Sequence, residues 1–268
     1  MGVGNRVARN YLSQAPCQAL RIRGNNHILE LNEICKVVTE CDDLGALDTY
    51  RSLSYRGNVV RHNFWVDIGN AHPWGQSAVR LDDGFSGTTV YGNVFYKCSS
   101  GRFGAVQIHA GRDNWVDNNL FVDNKYAVSF MGWDESRWQR FLEVDRARRK
   151  QLSVDIDSAV YRETYPELSG YAENTGRNHI WRNVTIKTGT LLYGDRDRQN
   201  LTDNAAMDLD HGHTDLTANA LLPKLKRFVE NRPGFRPIPF DEIGLYDSEH
   251  RATPVATARQ AKNALWAT

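Results

Sequence analysis

Aspartate is concentrated in two short segments of the sequence that could carry acid–base chemistry. Asp42, Asp43 and Asp48 lie in the first segment, and Asp82 and Asp83 lie in the second, within the run LDDGFSG. Two carboxyl groups held close together shift the pKa of one upward, which gives a proton donor beside a base or nucleophile. Glycoside hydrolysis uses such a pair. The two segments therefore predict a glycan-cleaving site if the fold brings them together.

A repeated nine-residue pattern predicts a fold that does so. Each copy has an apolar residue three positions before an asparagine, and the six asparagines are Asn10, Asn32, Asn63, Asn93, Asn119 and Asn183. Their irregular intervals disfavour helical-pair repeats, and the β-branched and aromatic residues favour strands. We predict an all-β fold, a right-handed parallel β-helix forming one solenoid. In this prediction the asparagines bond one another from coil to coil and do no chemistry.

A second strand follows each copy of the pattern and predicts which side chains face outward. Its five copies, ALRI, ALDT, AVRL, AVQI and AVSF, begin at residues 19, 46, 78, 105 and 127. Alternation along a strand sends Leu47 and Val79 inward and Asp48 and Arg80 outward. One outward column then contains Arg21, Asp48, Arg80, Gln107 and Ser129, and the next contains Arg23, Tyr50, Asp82, His109 and Met131. A long, shallow polysaccharide groove would present such a face.

These columns place Asp48 beside Arg80 and Asp82 beside His109. Strand spacings of ~4.8 Å across a sheet and ~3.3 Å along it put Asp48 and Asp82 roughly 8 Å apart. Carboxyl groups in inverting glycosidases are ~6.5–9.5 Å apart, so this spacing is compatible with catalysis. A solvated acidic loop without a catalytic role is the alternative interpretation.

Other segments predict helices and covers for the solenoid. The coils are expected over about 4–130 and 176–195, with a helical insertion over about 133–172 whose first helix has Trp138, Phe141 and Leu142 on its apolar face. A C-terminal segment, about 200–268, is expected to cap the solenoid with a helix at 218–230 and an extended tail at 232–251. We predict a single domain over 1–268, the C-terminal part of a longer chain, because the sequence starts inside a repeat.

Composition and the remaining motifs limit the classes of ligand. Thirty-three basic and 32 acidic residues leave a formal charge of +1, so nucleic acid is not an expected partner, and no apolar run is long enough to cross a membrane. The spacing of the four cysteines favours buried free thiols. No cofactor is predicted. A divalent metal such as calcium is the weaker alternative to a polar loop for a cluster of Asp208, Asp210, His211, His213 and Asp215.

Much of the chain resembles a bacterial family of right-handed parallel β-helix proteins in the pectate-lyase-like superfamily. The resemblance lies in residues 42–69, 79–100 and 111–130, where LDDGFSGTTVYGN is the most specific stretch. RETYPEL (162–168) and IPFDEIGLY (238–246) extend it. Among enzymes, these segments resemble glycoside hydrolase family 141, whose activities include fucosidase and xylanase.

The resemblance implies an extracellular or periplasmic enzyme that acts on a polysaccharide or oligosaccharide. It implies two catalytic aspartates, one from Asp42-Asp43 and one from Asp82-Asp83. The chain departs from the family at Tyr50-Arg51-Ser52, where we expect Gly-Arg-Asp, so that the arginine is kept and an acid is lost.

The resulting prediction is a glycoside hydrolase whose catalytic residues are Asp43, Asp82 and Asp83. Substrate-binding roles are predicted for Asp48, Arg51, Arg80, His109 and Arg112. One alternative is a polysaccharide lyase or uronate epimerase, in which lysine or arginine removes a proton next to a neutralised carboxylate. Another is a β-helix that binds glycan without cleaving it.

Overall fold

Parallel strands, added to three sheets in turn, dominate the structure, a computed structural model that describes residues 2–70, 73–207, 232 and 234–246. Each complete repeat contains three strands of these sheets, of which the first belongs to sheet 1, the second to sheet 2 and the third to sheet 3. The strands of sheet 1 are β2 Arg6–Ala8, β6 Ile28–Glu30, β9 Asn58–Arg61, β12 Thr88–Tyr91, β16 Trp115–Asp117, β19 His179–Trp181 and β22 Asn200–Thr202. Those of sheet 2 are β3 Tyr11–Ser13, β7 Glu33–Cys35, β10 Phe64–Val66, β13 Val94–Tyr96, β17 Leu120–Val122, β20 Val184–Ile186 and β23 Ala205–Met207.

Sheet 3 carries the outward columns that the sequence predicts. Its parallel strands are β4 Leu20–Arg21, β8 Leu44–Asp48, β11 Gly75–Leu81, β15 Val106–His109, β18 Tyr126–Met131 and β21 Thr190–Gly194. The short strand β14, Ser99–Gly101, pairs antiparallel with β11, and β1 Gly2–Val3 pairs with β5 Gly24–Asn25. The fold is thus mostly β with stacked parallel strands, an arrangement compatible with a β-helix or another solenoid.

Each nine-residue pattern contains a corner between two strands, whereas the sequence prediction treats the pattern as a single strand. The residue before each anchor asparagine has a positive φ, for example 53° at His62 and 61° at Gly92. A left-handed residue turns the chain sharply and ends the first strand. The pattern therefore supplies sheets 1 and 2, and the second predicted strand supplies sheet 3.

The predicted asparagine ladder is confirmed and stabilises these corners. Asn63 donates from its backbone N and its Nδ2 to Asn93 Oδ1, at 2.9 and 3.0 Å, and Asn93 donates in the same way to Asn119 Oδ1. The ladder continues to Asn204, beyond the six predicted positions. Every member satisfies buried polar groups of its neighbour, so the ladder replaces water at the corner.

The apolar core lies between the three sheets. Leu47, Val79, Val106 and Val128 are paired in register across sheet 3 and have no exposed surface, as the alternation predicts. Trp65, Phe95 and Phe121 of sheet 2 form a second column, stacked with ring centroids 6.2 and 4.9 Å apart. Burying such side chains stabilises the fold by roughly 1.5–3 kcal/mol each.

The predicted insertion contains helix α1 (Glu135–Gln151), helix α2 (Ala159–Thr164) and a 3-10 turn at Pro166–Leu168. Asp134 caps α1 by accepting a hydrogen bond from Arg137 N. Trp138, Phe141 and Leu142 are buried in the cluster that joins the insertion to the sheets. A Cβ on Gly84 would lie 2.8 Å from the Phe141 ring, so α1 packs directly on the turn after β11.

The stacked strands continue past the predicted end of the coils at residue 195, because residues 200–207 of the predicted C-terminal segment form β22 and β23. Residues 234–246 form the predicted tail, which contains a 3-10 turn at Phe240–Glu242. Phe235, Ile238 and Ile243 pack on the outward side chains of sheet 2, among them Phe64 and Val94. The predicted capping helix at 218–230 and the acidic and histidine cluster at 208–215 lie outside the described residues.

The prediction of free thiols is correct for two cysteines and wrong for the other two. Cys35 and Cys98 are free and buried, whereas Cys17 and Cys41 form a disulfide with their Cα atoms 5.2 Å apart. Stacked repeats bring these two loops together, which linear spacing does not reveal. In the part of the chain that the structure describes, no helix combines the length and apolar character needed to cross a membrane.

Candidate active site

A cleft of about 530 Å³ lies over the outer face of sheet 3 and collects most of the predicted site residues. Asp43, Asp48, Arg80, Asp82, Asp83 and His109 line it, together with residues that include Arg21, Tyr50, Trp74, Arg102 and Arg137. Arg51 lines an adjoining cleft of about 400 Å³ and reaches the first cleft through a contact with Asp83. Strand pairing aligns Asp48, Arg80 and Gln107, as the column predicts.

Arg80 joins the two aspartate segments. Its Nη2 lies 2.8 Å from Asp43 Oδ1 and 3.1 Å from Asp82 Oδ2, and its Nη1 lies 3.5 Å from Asp48 Oδ1. The Asp43 and Asp82 oxygens are thus no farther apart than the sum of the first two distances. Asp48 sits between Arg21 and Arg80 with its side chain only 2% exposed, which leaves it little contact with the cleft.

The tight turn after β11 presents Asp82 and Asp83 side by side. Asp82 N donates to Thr49 Oγ1 at 3.2 Å, and Asp83 and Gly84 have φ values of 47° and 79°. Glycine meets little steric cost at such an angle, and the aspartate is among the residues that tolerate it. The turn therefore aims two consecutive carboxylates at one histidine.

His109, at the end of β15, contacts both of these carboxylates. Its Nδ1 is 3.0 Å from Asp82 Oδ1 and 3.2 Å from Asp83 Oδ1, while Trp133 Nε1 donates to its Nε2 at 2.9 Å. Burial lowers the pKa of His109, but the two carboxylates outweigh that effect and raise it above its ordinary value. The imidazole is thus enclosed by acceptors on one side and a donor on the other.

The carboxyl groups of the cleft have opposite electrostatic environments. Burial alone would raise the pKa of Asp83, but hydrogen bonds from His109 and Arg51 lower it to about 2. Arg51 supplies two of these bonds, from Nε at 3.0 Å and from Nη2 at 2.8 Å. Burial raises the pKa of Asp43 despite the opposing charge of Arg80. The charged form of Asp83 is consequently stabilised, whereas that of Asp43 is disfavoured.

Among the described residues, one group of three potential metal ligands converges in the cleft. The nearest ligand atoms of Asp82, Asp83 and His109 all lie within 4.8 Å of one another. Arg80 and Arg51, however, already neutralise the two carboxylates. A divalent cation there would have to overcome the repulsion of both guanidinium groups.

Arg112 is the predicted site residue that the structure places elsewhere. Its Nη1 donates to the backbone oxygens of Gly170 and Glu173, at 2.6 and 3.0 Å, and its Nε contacts Asp113. The side chain does not line the cleft. It instead fastens the helical insertion to the turn that follows β15.

Sequence reasoning placed Tyr50 on the outer face but missed two tryptophans, Trp74 at the rim of the cleft and Trp133 behind His109. Trp74 is 61% exposed, with the Arg102 guanidinium 5.5 Å from the ring centroid. Trp133 is the first residue of the insertion, and its indole contacts His109 from outside sheet 3. The two tryptophans of WDESRW indicate that the insertion packs against the rest of the protein. They do not predict the contact with His109, because sequence spacing does not show where an insertion docks.

Comparison with protein-family models, with curated proteins and with solved structures finds no match to this chain.

Proposed function

We propose that the chain is a right-handed parallel β-helix that hydrolyses glycosidic bonds in a polysaccharide or oligosaccharide, as its resemblance to glycoside hydrolase family 141 implies. The observation that carries this proposal is the pair formed by Asp43 and Asp82, held on one nitrogen of Arg80 in the same cleft. Glycoside hydrolases work with two carboxyl groups, one of them with a raised pKa. The upward shift of the Asp43 pKa supports its assignment as the acid.

The separation of the pair favours a retaining reaction. Because both carboxyl groups contact the same nitrogen of Arg80, their nearest oxygens lie closer to the ~5–5.5 Å separation of carboxyl groups in retaining enzymes than to the ~6.5–9.5 Å of inverting enzymes. Asp43 gives its proton to the departing oxygen while Asp82 bonds to the anomeric carbon. Water, deprotonated by Asp43, then attacks that carbon and releases Asp82. Asp83 stays an anion and orients His109.

The rim of the cleft supports a glycan as the ligand. Trp74 and Tyr50 expose flat aromatic faces, which pack against the C–H faces of sugar rings while their polar edges stay in water. Arg21 and Arg102 supply hydrogen-bond donors for hydroxyl groups beside them. The cleft thus combines many charged groups with two aromatic rings at its rim, which suits a ligand rich in hydroxyl groups.

A screen of plant and algal glycans, read by released reducing ends, tests the proposal. We expect Asp43→Asn and Asp82→Asn each to lower turnover by roughly 10²-fold or more, because each removes an acid–base or nucleophilic group. Asp203→Asn, at an exposed aspartate outside the cleft, is the matched control and retains activity. Far-UV circular dichroism checks that the variants are folded. Full activity in Asp82→Asn would refute the assignment.

The same screen separates the alternatives. Four arginines line the cleft, and a lyase uses such a group beside a uronate carboxylate. Lyase action produces an unsaturated sugar that absorbs in the ultraviolet, whereas hydrolysis does not. Binding without any product would identify a non-catalytic glycan-binding protein.

We also propose that the protein acts outside the cytoplasm, in an extracellular or periplasmic setting. The disulfide between Cys17 and Cys41 supports this location, since such bonds persist in oxidising compartments.

A further inference from the structure

We propose that Trp133, in addition to the charges of Arg51 and Arg80, keeps divalent cations out of the cluster formed by Asp82, Asp83 and His109. By donating a hydrogen bond to His109 Nε2, it keeps a proton on Nδ1 between the two carboxylates and so excludes a divalent cation. Trp133 is thus a positioning residue that makes the cluster a proton site. This inference does not depend on the proposed glycosidase activity.

The tautomer follows from the donors and acceptors around the ring. The indole Nε1–H of Trp133 is only a donor, and it lies 2.9 Å from His109 Nε2. Nε2 must therefore present its lone pair, which leaves the proton of the neutral ring on Nδ1. That proton points at Asp82 Oδ1, which accepts at 3.0 Å, and Asp83 Oδ1 lies 3.2 Å from the same nitrogen. The N–H group thus lies between two carboxylates whose other oxygens contact Arg80 and Arg51.

A metal ion would require the opposite arrangement. A histidine that binds metal through one ring nitrogen donates the N–H of its other nitrogen to an acceptor. Coordination through Nδ1 of His109 would place that N–H on Nε2, directly against the indole N–H of Trp133. Two donors would then face each other and the 2.9 Å hydrogen bond would be lost. Full protonation of the imidazole would also place an N–H on Nε2, so the hydrogen bond from Trp133 opposes the two carboxylates, which favour the charged ring.

The surroundings of Trp133 prevent it from turning away. The ring is only 5% exposed, packs 5.5 Å from Phe141 and lies edge-to-face with His109 at 82°. The Arg137 guanidinium covers it at 4.3 Å from the ring centroid. Two charged groups contact the His109 imidazole, namely the carboxylates of Asp82 and Asp83 on the turn after β11. The Arg137 guanidinium of α1 lies 3.9 Å from Asp83.

Zinc and manganese titrations of the parent and of Trp133→Phe test the proposal. Phenylalanine keeps an aromatic ring but removes the donor, so we expect Trp133→Phe to bind Zn²⁺ at least ~10-fold more tightly than the parent, since changing the group that hydrogen-bonds a metal-binding histidine changes metal affinity by ~10–100-fold. Adding His109→Gln should abolish that gain. Trp115→Phe, a tryptophan of sheet 1 outside the cleft, should leave the affinity unchanged. Equal affinity in the parent and Trp133→Phe would overturn the proposal.

The tautomer is measured directly on the unmodified protein. Nitrogen-15 chemical shifts of the His109 ring, recorded at a pH above its titration so that the ring is neutral, should show a protonated Nδ1 and an unprotonated Nε2. A neutral ring protonated on Nε2 in the parent would overturn the proposal, whether or not Trp133→Phe folds. Loss of glycan cleavage in Asp82→Asn, by contrast, bears only on the proposed enzymatic function.

Discussion

At the scale of single residues, the acids of the cleft are distinguished by the groups that contact them. Asp83 receives two hydrogen bonds from Arg51 and one from His109, whereas Asp43, with a side chain 59% exposed, receives one from Arg80. A carboxylate that accepts several charged bonds is stabilised as an anion. Aspartates that look equivalent in the sequence therefore differ in how strongly their charged form is stabilised.

The low pKa of Asp83 makes the free energy of unfolding depend on pH. Its pKa falls from an ordinary 3.8 to about 2 in the folded protein, so its ion pair contributes about 2 kcal/mol above pH 4 and loses that contribution as the pH falls toward 2. We expect Asp83→Asn to lose this part of the acid sensitivity. Urea unfolding of both proteins between pH 7 and pH 2.5 measures it. An identical decline in the two proteins would contradict the prediction.

How much of the site could be predicted depends on how its residues are related along the chain. Asp82 lies beside His109, and Asp48 beside Arg80, because neighbouring repeats place equivalent residues together. That register is a local property and can be read from the sequence. Trp133 reaches His109 from an insertion whose docking is decided by tertiary packing, so its contact could not be predicted.

At the scale of elements, the strands and corners follow from the repeat more completely than their connections do. Alternation within AVRL and its equivalents correctly predicts the buried column of sheet 3. The third sheet was missed, because the corner before each asparagine is made by backbone conformation at residues as different as His62 and Gly92. The parallel β architecture is confirmed, and the right-handed β-helix stays a proposal.

The asparagine ladder predicts an uneven cost of substitution. Asn93 Nδ2 donates to Val60 O, Tyr91 O and Asn119 Oδ1, and its Oδ1 accepts two bonds from Asn63. Replacing it with alanine strands several of these buried groups, at ~1–3 kcal/mol for each one left unsatisfied, and we expect a total loss of about 3 kcal/mol. Chemical denaturation monitored by tryptophan fluorescence measures this loss.

Asn10 provides the matched control for that substitution. It is half-buried at the first rung and donates to Asn32, but water can reach the groups around it. Asn10→Ala should therefore cost less than half as much as Asn93→Ala. Similar costs at the two positions would mean that the ladder is not the source of the stability.

At the scale of the whole molecule, the cleft depends on parts that are distant in sequence. Sheet 3 provides its floor, the insertion contributes Trp133 and Arg137, and the loop before β8 contributes Asp43. Separate contacts hold these parts in place. Arg112 bonds the insertion to the turn after β15, and the disulfide between Cys17 and Cys41 joins the loop before β8 to the preceding repeat. The arrangement explains why the acids can be predicted from the repeat while the shape of the cleft cannot.

The disulfide is expected to support both stability and the position of Asp43. Its cysteines are 24 residues apart, and closing a loop of that size contributes about 3 kcal/mol, chiefly by restricting the unfolded chain. Cys41 directly precedes Asp42, which accepts hydrogen bonds from the backbone N–H groups of Trp74 and Gly75 and so fixes the loop that carries Asp43. Dithiothreitol should therefore lower both the urea midpoint and glycan cleavage.

A Cys17→Ser/Cys41→Ser variant is the control for this prediction. It should have the lower urea midpoint without any reductant and should not respond further to dithiothreitol, since the buried thiols of Cys35 and Cys98 are already reduced. A parent protein with the same midpoint before and after reduction would show that the repeats alone hold this loop in place.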